Sequence, residues 1–535
     1  MQMVRSRQSK QVAVWRLFQE NMKTNHSEKE EKGGELVINR DAFRSWVSEN
    51  LAPVTFLLAY FLTVVVGNLF FLSSSWRVSL QSASYTAAIL QFDTLFSAGF
   101  WALLFAPFLV TPVVVKTVRL TMSRRVCRIA AWIPEFQRFD YAVVTAACLL
   151  YVYLSLWRAD AFALFARGAD AVSSVEARFL ILGQMSFVAK VVLMSLLSYL
   201  SIYPLVRWMR TGEMFWAVAM VFNVVIVSVF LTVINMKWPI LIFYAGLILS
   251  VFVYAKKRVY LKVAIGSVFL ISAYLLISTY VFRLSPVNPA SITIPPKAES
   301  AISAAEGGKA SQGVAQIQGS RDIPSGATDL ARSLTDESGK RSQDYQPAAL
   351  KMVETAFEKA PWLISTAVNR MAVIYPYYYQ VFTNEGAVCG GVVEQARIGQ
   401  VCRPSTYIYK RMFQNDRFSG IGTSPASVHV SGYALGGWPV ALFALVAASV
   451  ILGLFSCLPL DESSSVGALG VVGAIAGYHF SQLPGEGPLI YDHGIAWTIL
   501  ALALYAGLRV LGAIVAKRLN YREAAKRVTD DVRGN

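Results

Sequence analysis

Apolar runs of about 20 residues recur along the chain, and a helix needs this length to cross the hydrocarbon core of a membrane. Inside lipid each backbone amide must be hydrogen-bonded within its own segment, so runs of this length fold as helices. Hydrophobic residues make up 55% of the sequence and charged residues 15%. We therefore predict an all-α polytopic membrane protein. Its transmembrane helices, about ten in number, are expected at 52–72, 94–115, 141–157, 179–206, 214–236, 238–255, 263–282, 432–457, 466–482 and 490–515.

The formal net charge of +16 comes mainly from short Lys and Arg clusters at the ends of the apolar runs. Such clusters report membrane topology rather than a nucleic-acid-binding face, so we predict no nucleic-acid partner. The richer set of ends lies at 40–44, 116–128, 207–210, 256–262 and 517–518. Because basic residues are retained on the cytoplasmic side, the N-terminal segment 1–51 and the tail 517–535 are predicted to be cytoplasmic. The first run lies too far from residue 1 for a cleavable signal peptide and is expected to remain as an anchor.

This topology predicts helices 1–7 over 52–282 and helices 8–10 over 432–516, with one long segment between them on the outer side. Residues 283–347 are rich in Ala, Ser, Gly and Pro and contain few aromatic residues. They cannot bury enough apolar surface to order themselves, so we predict a disordered insertion. Residues 348–431 carry apolar residues at helical spacing and are predicted to fold as an ordered loop against the bundle or the membrane surface.

Two of the five cysteines, Cys389 and Cys402, lie in this ordered loop. In an oxidising compartment a pair at this spacing can close a short loop as a disulfide, and the alternative is two unpaired thiols. The other three cysteines lie in or beside apolar runs, where a thiol serves as a small apolar side chain.

The ordered loop also carries arginines close to glycines, and a histidine ends it. The candidate site residues are Arg370, Arg403, Arg411, Arg417, Gly420, Gly422 and His429. Arginine matches phosphate oxygens bidentately and glycine lets backbone N–H groups approach an anion, so this group suits a lipid-linked phosphate or diphosphate. For each arginine the alternative is a solvated loop charge or a contact with lipid phosphate. The loop has no tight acidic cluster, so we predict no metal and no cofactor.

His429 can exchange a proton near neutral pH, or it can be a hydrogen-bonded interfacial residue without chemistry. His493, in a neighbouring outer turn beside Asp492, is the rival base.

The stretch "DRFSGIGTSPASVHVSGYALGGWPVALFALVAASVIL" places Gly420 and Gly422 before His429, and Gly436-Gly437 at the start of a long apolar helix. This order resembles the signature of the O-antigen polymerase and O-antigen ligase superfamily, over about 370–455. The resemblance implies a fold similar to the C-type glycosyltransferases, with one large periplasmic loop, in the bacterial inner membrane. It also implies an undecaprenyl-diphosphate-linked oligosaccharide substrate, with a chain-length regulator and a flippase as partners.

The same resemblance implies metal-independent, inverting glycosyl transfer in the synthesis of O-antigen, capsule or exopolysaccharide. Arg411 and Arg417 would bind the donor diphosphate, and His429 would orient or deprotonate the acceptor hydroxyl. Whether the reaction lengthens a chain or transfers it to a final acceptor stays open, as do the sugar and the linkage.

Two further features have two interpretations each. Lys190 lies inside an apolar run, where a lysine is costly; it could contact lipid phosphate or a sugar, or it could be paired structurally. The aromatic cluster from Tyr375 to Phe382 could stack on sugar rings, or anchor the chain at the membrane interface.

Two non-enzymatic alternatives compete with the transferase. A polytopic chain with a long outer segment also fits a component of a secretion or conjugation apparatus, or a transporter. Transporters more often contain internal repeats and broken spans, and we find no repeat relating the two halves of the sequence.

Reporter fusions test the predicted topology. A fusion within 286–346 should be active only outside the cytoplasm, whereas fusions at 256–262 and after Lys517 should be active only inside, because the basic clusters are retained there. A cytoplasmic signal from the 286–346 fusion would contradict the outer placement of the whole loop.

Overall fold

The structure is a computed structural model that describes residues 40–74, 91–162, 171–281, 372–399, 401–412, 422–482 and 495–534. Within these ranges the regular elements are helices. The predicted insertion 283–347 lies outside the described residues. The chain divides into two units, residues 1–49 and 50–535, and the second contains the bundle described below.

The helices are numbered in chain order. They are α1 (Arg40–Glu49), α2 (Leu51–Phe70), α3 (Ala98–Ala130), α4 (Arg138–Arg158), α5 (Ala171–Gln184), α6 (Phe187–Thr211), α7 (Met214–Val233), α8 (Lys237–Tyr254), α9 (Val259–Val281), α10 (Ile374–Asn384), α11 (Gly391–Ile398), α12 (Pro404–Met412), α13 (Val428–Ser456), α14 (Ser464–Ser481) and α15 (Ile495–Gly534).

Eight helices of the described residues are long and apolar enough to cross a membrane, namely α2, α3, α4, α6, α7, α9, α13 and α15. In α15 the apolar stretch is Ile495–Gly512. This confirms the prediction of an α-helical polytopic protein. Each of the ten predicted runs falls on a helix. The two that are not among the eight are α8, whose apolar stretch is only Pro239–Tyr254, and the glycine-rich α14.

Helix α14 occupies the centre of the bundle, where it packs against α2, α6, α8 and α13. Nearly all of its residues are buried. Its glycines permit this, because small residues let helix backbones approach closely in a membrane bundle. At Gly477 a Cβ would lie 2.4 Å from the carbonyl oxygen of Ala52 and 3.2 Å from the amide nitrogen of Phe56. Any side chain at Gly477 would therefore push α14 away from α2.

Helices α3 and α13 run side by side in one direction, and α2 runs opposite to both. Three contacts along α3 fix this arrangement: Ser449 Oγ donates to Thr111 Oγ1 at 3.0 Å, Gly453 lies against Val118, and the Cys127 thiol donates to the Cys457 carbonyl at 3.5 Å. Near its own start α2 meets Arg119, which donates to Asn50 at 2.9 Å, and farther on Tyr60 donates to the Leu104 carbonyl at 3.0 Å. The bundle thus has a basic end, near Arg119, and an opposite end near Tyr60.

A proline inside α6 shapes the packing of α4 and α7. Pro204 has no N–H, so the carbonyl of Leu200, four residues earlier, lacks its usual helical donor. Tyr141 of α4 donates to that carbonyl at 2.7 Å and Asn223 of α7 at 3.2 Å. In the apolar interior an unpaired carbonyl is costly, so these two hydrogen bonds fix α4 and α7 against α6.

Replacing Gly477 by valine should destabilise the bundle, because the new side chain would overlap the α2 backbone. Overpacking of this kind typically costs about 1–3 kcal/mol, so the apparent melting temperature in detergent should fall by several degrees. Gly507→Val on α15 is the matched control, since nothing lies within 4 Å of a Cβ at that position. Equal melting temperatures for the two variants would contradict the close approach of α14 and α2.

Candidate functional site

Helix α13 is broken near its start. Gly437 adopts φ 68° and ψ −156°, a conformation that favours glycine, and Pro439 follows the break. The piece 428–435 folds back on the longer piece: a Cβ at Gly432 would lie 2.8 Å from the carbonyl oxygen of Val440 and 3.0 Å from the Cα of Ala441. The GlyGly sequence thus ends one short helix and begins another. The reversal holds the first residues of α13, His429 among them, inside the bundle.

His429 is buried, with 1% of its surface exposed. Its Nδ1 lies 2.9 Å from the Ser427 hydroxyl, and its Nε2 lies 3.4 Å from the Tyr60 hydroxyl. The Tyr60 and His429 rings meet edge to face at a centroid distance of 5.4 Å. A hydroxyl of Ser427 that donates to Nδ1 leaves the proton on Nε2, directed towards the oxygen of Tyr60. Both ring nitrogens are then engaged within the protein.

The carbonyl of Leu103 on α3 also faces the imidazole and interacts with it electrostatically. Pro107 lies four residues after Leu103 and lacks the N–H that would otherwise occupy this carbonyl. His429 therefore lies beside a carbonyl that a helix proline leaves without its usual donor. It joins α13 to α3 and, through Tyr60, to α2.

Helix α10 covers this end of the bundle and is fixed by tyrosine hydroxyls. Tyr375 donates to the Ser481 carbonyl at the end of α14 at 3.0 Å, and Tyr378 donates to the Ser424 carbonyl at 3.0 Å. Tyr375 also meets Tyr60 edge to face at 5.9 Å. Both tyrosines are buried, which favours a structural role for this part of the aromatic cluster. Tyr379 is only partly buried and stacks on Tyr433 at 5.6 Å.

Arg411 lies on α12 in a cluster at the protein surface. Its guanidinium pairs with Glu385 and lies over the Tyr407 ring, 4.9 Å from the ring centre. Tyr407 donates to the second carboxylate oxygen of Glu385 at 2.9 Å. About 38% of the Arg411 side chain and 40% of the Glu385 side chain remain exposed, so a ligand can reach both. Ile408 and Met412, on the inner face of α12, pack in the same hydrophobic cluster as Tyr60 and Tyr375.

The cluster perturbs the pKa of its members. Burial lowers the pKa of Arg411, but the hydrogen bond to Glu385 and the charge interactions with Tyr407, Glu385 and Tyr377 together outweigh it, so the pKa is raised. Burial, and then donation to Glu385, raise the pKa of Tyr407. Burial raises the pKa of the neighbouring Tyr377 to about 12, although Arg411 acts in the opposite direction. Arg411 therefore remains a cation and both phenols remain protonated at neutral pH.

The remaining candidates are dispersed. Arg403 is exposed beside Cys402, and Gly422 packs against the Tyr409 ring, where a Cβ would lie 2.1 Å from a ring carbon. Lys190 is half-buried in the first turn of α6, near a helix end rather than at the middle of a span. Arg370, Arg417, Gly420 and His493 lie outside the described residues.

Cys389 and Cys402 are joined by a disulfide, with a Cα–Cα distance of 6.2 Å. The bridge closes the loop that contains α11. Gln395 strengthens this loop: its side chain donates to the Val388 carbonyl at 2.9 Å and accepts from the Cys402 amide at 3.0 Å. The loop is therefore fixed just before α12, the helix that carries Arg411.

Four residues with direct contacts to His429 or Arg411 are not among the sequence candidates: Tyr60, Ser427, Glu385 and Tyr407. The sequence could have identified two of them. Ser427 lies two residues before His429, and Glu385 is an isolated carboxylate in an arginine-rich loop. Tyr60 is 369 residues from His429 in sequence, and no local pattern identifies it. Among the described residues no three His, Cys, Asp or Glu side chains form a group that could hold a metal ion.

No protein-family model matches the chain, and no curated protein or solved structure is significantly similar to it.

Peptide mapping under non-reducing conditions tests the disulfide, and should find the peptides with Cys389 and Cys402 linked. Replacing both by serine should destabilise the protein, since closing a loop of this size contributes about 3 kcal/mol. Cys148→Ser, at a free cysteine, should change the melting temperature far less. Alkylation of both Cys389 and Cys402 without reduction would refute the bridge.

Proposed function

We propose that the chain is a membrane glycosyltransferase that uses undecaprenyl-diphosphate-linked oligosaccharide repeat units, as a polymerase or ligase of surface polysaccharide in the bacterial inner membrane. The observation that carries the proposal is the arrangement at the Tyr60 end of the bundle. There a disulfide-fixed segment presents the accessible cation of Arg411 and partly exposed aromatic faces above a buried polar centre at His429. The cation suits the diphosphate of such a lipid-linked ligand, and the aromatic faces suit its sugars. The buried centre at His429 holds the surrounding segments in place.

In the proposed reaction a hydroxyl oxygen of the acceptor forms a bond to the anomeric carbon of the donor. The bond between that carbon and the diphosphate oxygen breaks, and the undecaprenyl diphosphate leaves with the bonding electron pair. Fixed cations stabilise the charge that develops on the leaving group. The acceptor proton passes to solvent or to the departing diphosphate, which is itself a base.

Arg411 would bind the donor diphosphate by exchanging partners. Its planar guanidinium can bind two phosphate oxygens, whereas at present one of its nitrogens pairs with one oxygen of Glu385. A diphosphate carries more charge than one carboxylate and would displace Glu385, while the Tyr407 ring continues to support the guanidinium. Arg417, beyond the end of the described part of α12, is the second proposed diphosphate ligand.

His429 has the role of a positioning residue in this proposal. Both ring nitrogens have partners, Ser427 at Nδ1 and Tyr60 at Nε2, so the proposal has the imidazole orient the segment that precedes α13 instead of taking a proton. Of the two roles, orienting and deprotonating the acceptor, this proposal assigns His429 the first.

A second candidate, a transporter, is favoured by the break in α13. Discontinuous membrane helices commonly surround substrate sites in transporters, and α2 and α6 also contain π-helical turns at Phe61–Val65 and Val192–Leu196. A transporter predicts that loss of Arg411 leaves the length of surface polysaccharide unchanged.

Substitutions at the Arg411 cluster test the transferase. Arg411→Ala should lower transfer by a factor on the order of a hundred, because a charge-assisted bidentate contact is lost. Arg411→Lys should rescue little, since an ammonium lacks the planar fork. Glu385→Gln should keep transfer within several-fold of wild type, because it removes only the competing anion. The measurements are surface-glycan profiles and extracted lipid-linked intermediates, at protein levels matched by immunoblot.

Arg397→Ala is the matched control, since Arg397 is an exposed arginine of the same loop and pairs with Glu394 at 2.6 Å. It should leave the glycan profile unchanged. If Glu385→Gln and Arg411→Ala reduce transfer equally, the pair is structural and the diphosphate assignment fails.

Substitutions at His429 separate positioning from proton transfer. His429→Ala should cause single lipid-linked repeat units to accumulate, and His429→Gln should restore much of the transfer, because an amide can both donate and accept hydrogen bonds. A base role predicts no rescue by glutamine. Normal long-chain glycan in the Arg411 and His429 alanine variants would favour the transporter or the structural component.

A further inference from the structure

An open apolar groove of about 640 Å³ lies between α6, α7, α8 and α9, and none of its residues belongs to the candidate site. Its volume is within the usual range for ligand pockets. Its walls are mainly aliphatic and aromatic. They include Leu205, Trp208, Val224, Leu247, Val251 and Phe269.

The hydroxyl groups in the groove are already satisfied. The Ser228 hydroxyl donates to the Val224 carbonyl at 2.6 Å. It also forms a hydrogen bond of 2.8 Å with the Tyr244 hydroxyl. A ligand therefore needs no polar group along this part of the groove. This favours a hydrocarbon chain over a sugar or a peptide.

The groove is long enough for a hydrocarbon chain. Along α9 it extends from Lys262 to Ile277, a rise of about 22 Å. One leaflet of the hydrocarbon core is about 15 Å thick. A chain that enters from the Lys262 end would thus stay within the groove through a whole leaflet. Helix α9 is otherwise little buried, so its groove side is open to lipid.

Two lysines line one end of the groove, Lys256 in the turn after α8 and Lys262 in the first turn of α9. Both are exposed, and no carboxylate of the described residues forms an ion pair with either one. The nearby arginines are used within the protein, since Arg207 pairs with Glu135 and Arg210 donates to the Asp461 carbonyl at 2.7 Å. The lysines are therefore available to an anionic group at the groove entrance.

We propose that the groove binds an anionic phospholipid, with one acyl chain along α9 and the phosphate beside Lys256 and Lys262. The charge of the two lysines selects an anionic headgroup, and the satisfied, apolar walls accept the chain. The lipid fills the space between α9 and the other three helices, and so completes the packing of a helix that the protein alone packs loosely. The site is independent of the proposed transferase activity.

Native mass spectrometry of the purified full-length chain in detergent, titrated with phosphatidylglycerol or phosphatidylethanolamine, tests the site. Wild type should retain one phosphatidylglycerol and bind phosphatidylethanolamine about tenfold or more weakly. The Lys256→Ala, Lys262→Ala double variant should lose this preference. Lys257→Ala is the control, because Lys257 is an exposed neighbour that does not line the groove.

A second pair of variants tests the position of the acyl chain without changing charge. Gly266 lines the groove, and nothing lies within 4 Å of a Cβ there, so Gly266→Phe should fill the groove without disturbing the helix backbone. It should abolish retention of phosphatidylglycerol. Gly507→Phe, at an equally open position on α15, should leave retention unchanged.

Three results would overturn the proposal: equal retention of the two lipids by wild type, unchanged retention after either groove substitution, or displacement of phosphatidylglycerol by millimolar inorganic phosphate. The last result would show that the lysines bind a phosphate without the chain. Melting temperatures of each variant, measured without added lipid, distinguish loss of the site from loss of the fold.

Discussion

The bundle depends on how the carbonyl groups next to its helix prolines are satisfied. A proline inside a helix leaves the carbonyl four residues earlier without a helical donor, and lipid offers no water to replace it. At Leu200 side chains of two other helices make the bond, those of Tyr141 and Asn223, and the Leu103 carbonyl faces the imidazole of His429. The prolines that weaken individual helices thus determine which helices pack together.

The need to satisfy these carbonyl groups also explains which parts of the structure can be predicted from the sequence. Apolar length and composition predict an α-helical membrane protein, and eight helices of the described residues are long and apolar enough to cross a membrane. The positions of Pro107 and Pro204 identify the carbonyls that need donors. The donors themselves come from segments far away in the chain, as Tyr141 and His429 do. Local periodicity contains no information on these pairings, which follow from the packing of the whole bundle.

The candidate site shows the same division. The sequence singles out Arg411 and His429 by residue type and by their nearness to glycines, and the structure places them in different surroundings. Arg411 is accessible and held by Glu385 and Tyr407, whereas His429 is enclosed by Ser427, Tyr60 and Leu103. A pattern of residue types cannot distinguish a cation that meets a ligand from an imidazole that fixes a helix. That distinction requires burial and partners, which only the folded chain supplies.

The reversal at Gly436-Gly437 changes what the apolar run 428–456 means for the membrane. Only residues 438–456 continue across the bundle, and as a helix they rise about 28 Å, close to the thickness of the hydrocarbon core. The piece 428–435 is less apolar, since it contains His429, Ser431 and Tyr433, and it contributes nothing to the crossing. Its composition is therefore free of the requirement for transfer into lipid and is constrained instead by the shape of its neighbours. Hydropathy therefore constrains residues 438–456, whereas steric fit constrains residues 428–435. Substitutions that preserve hydrophobicity would be tolerated after the break but not before it.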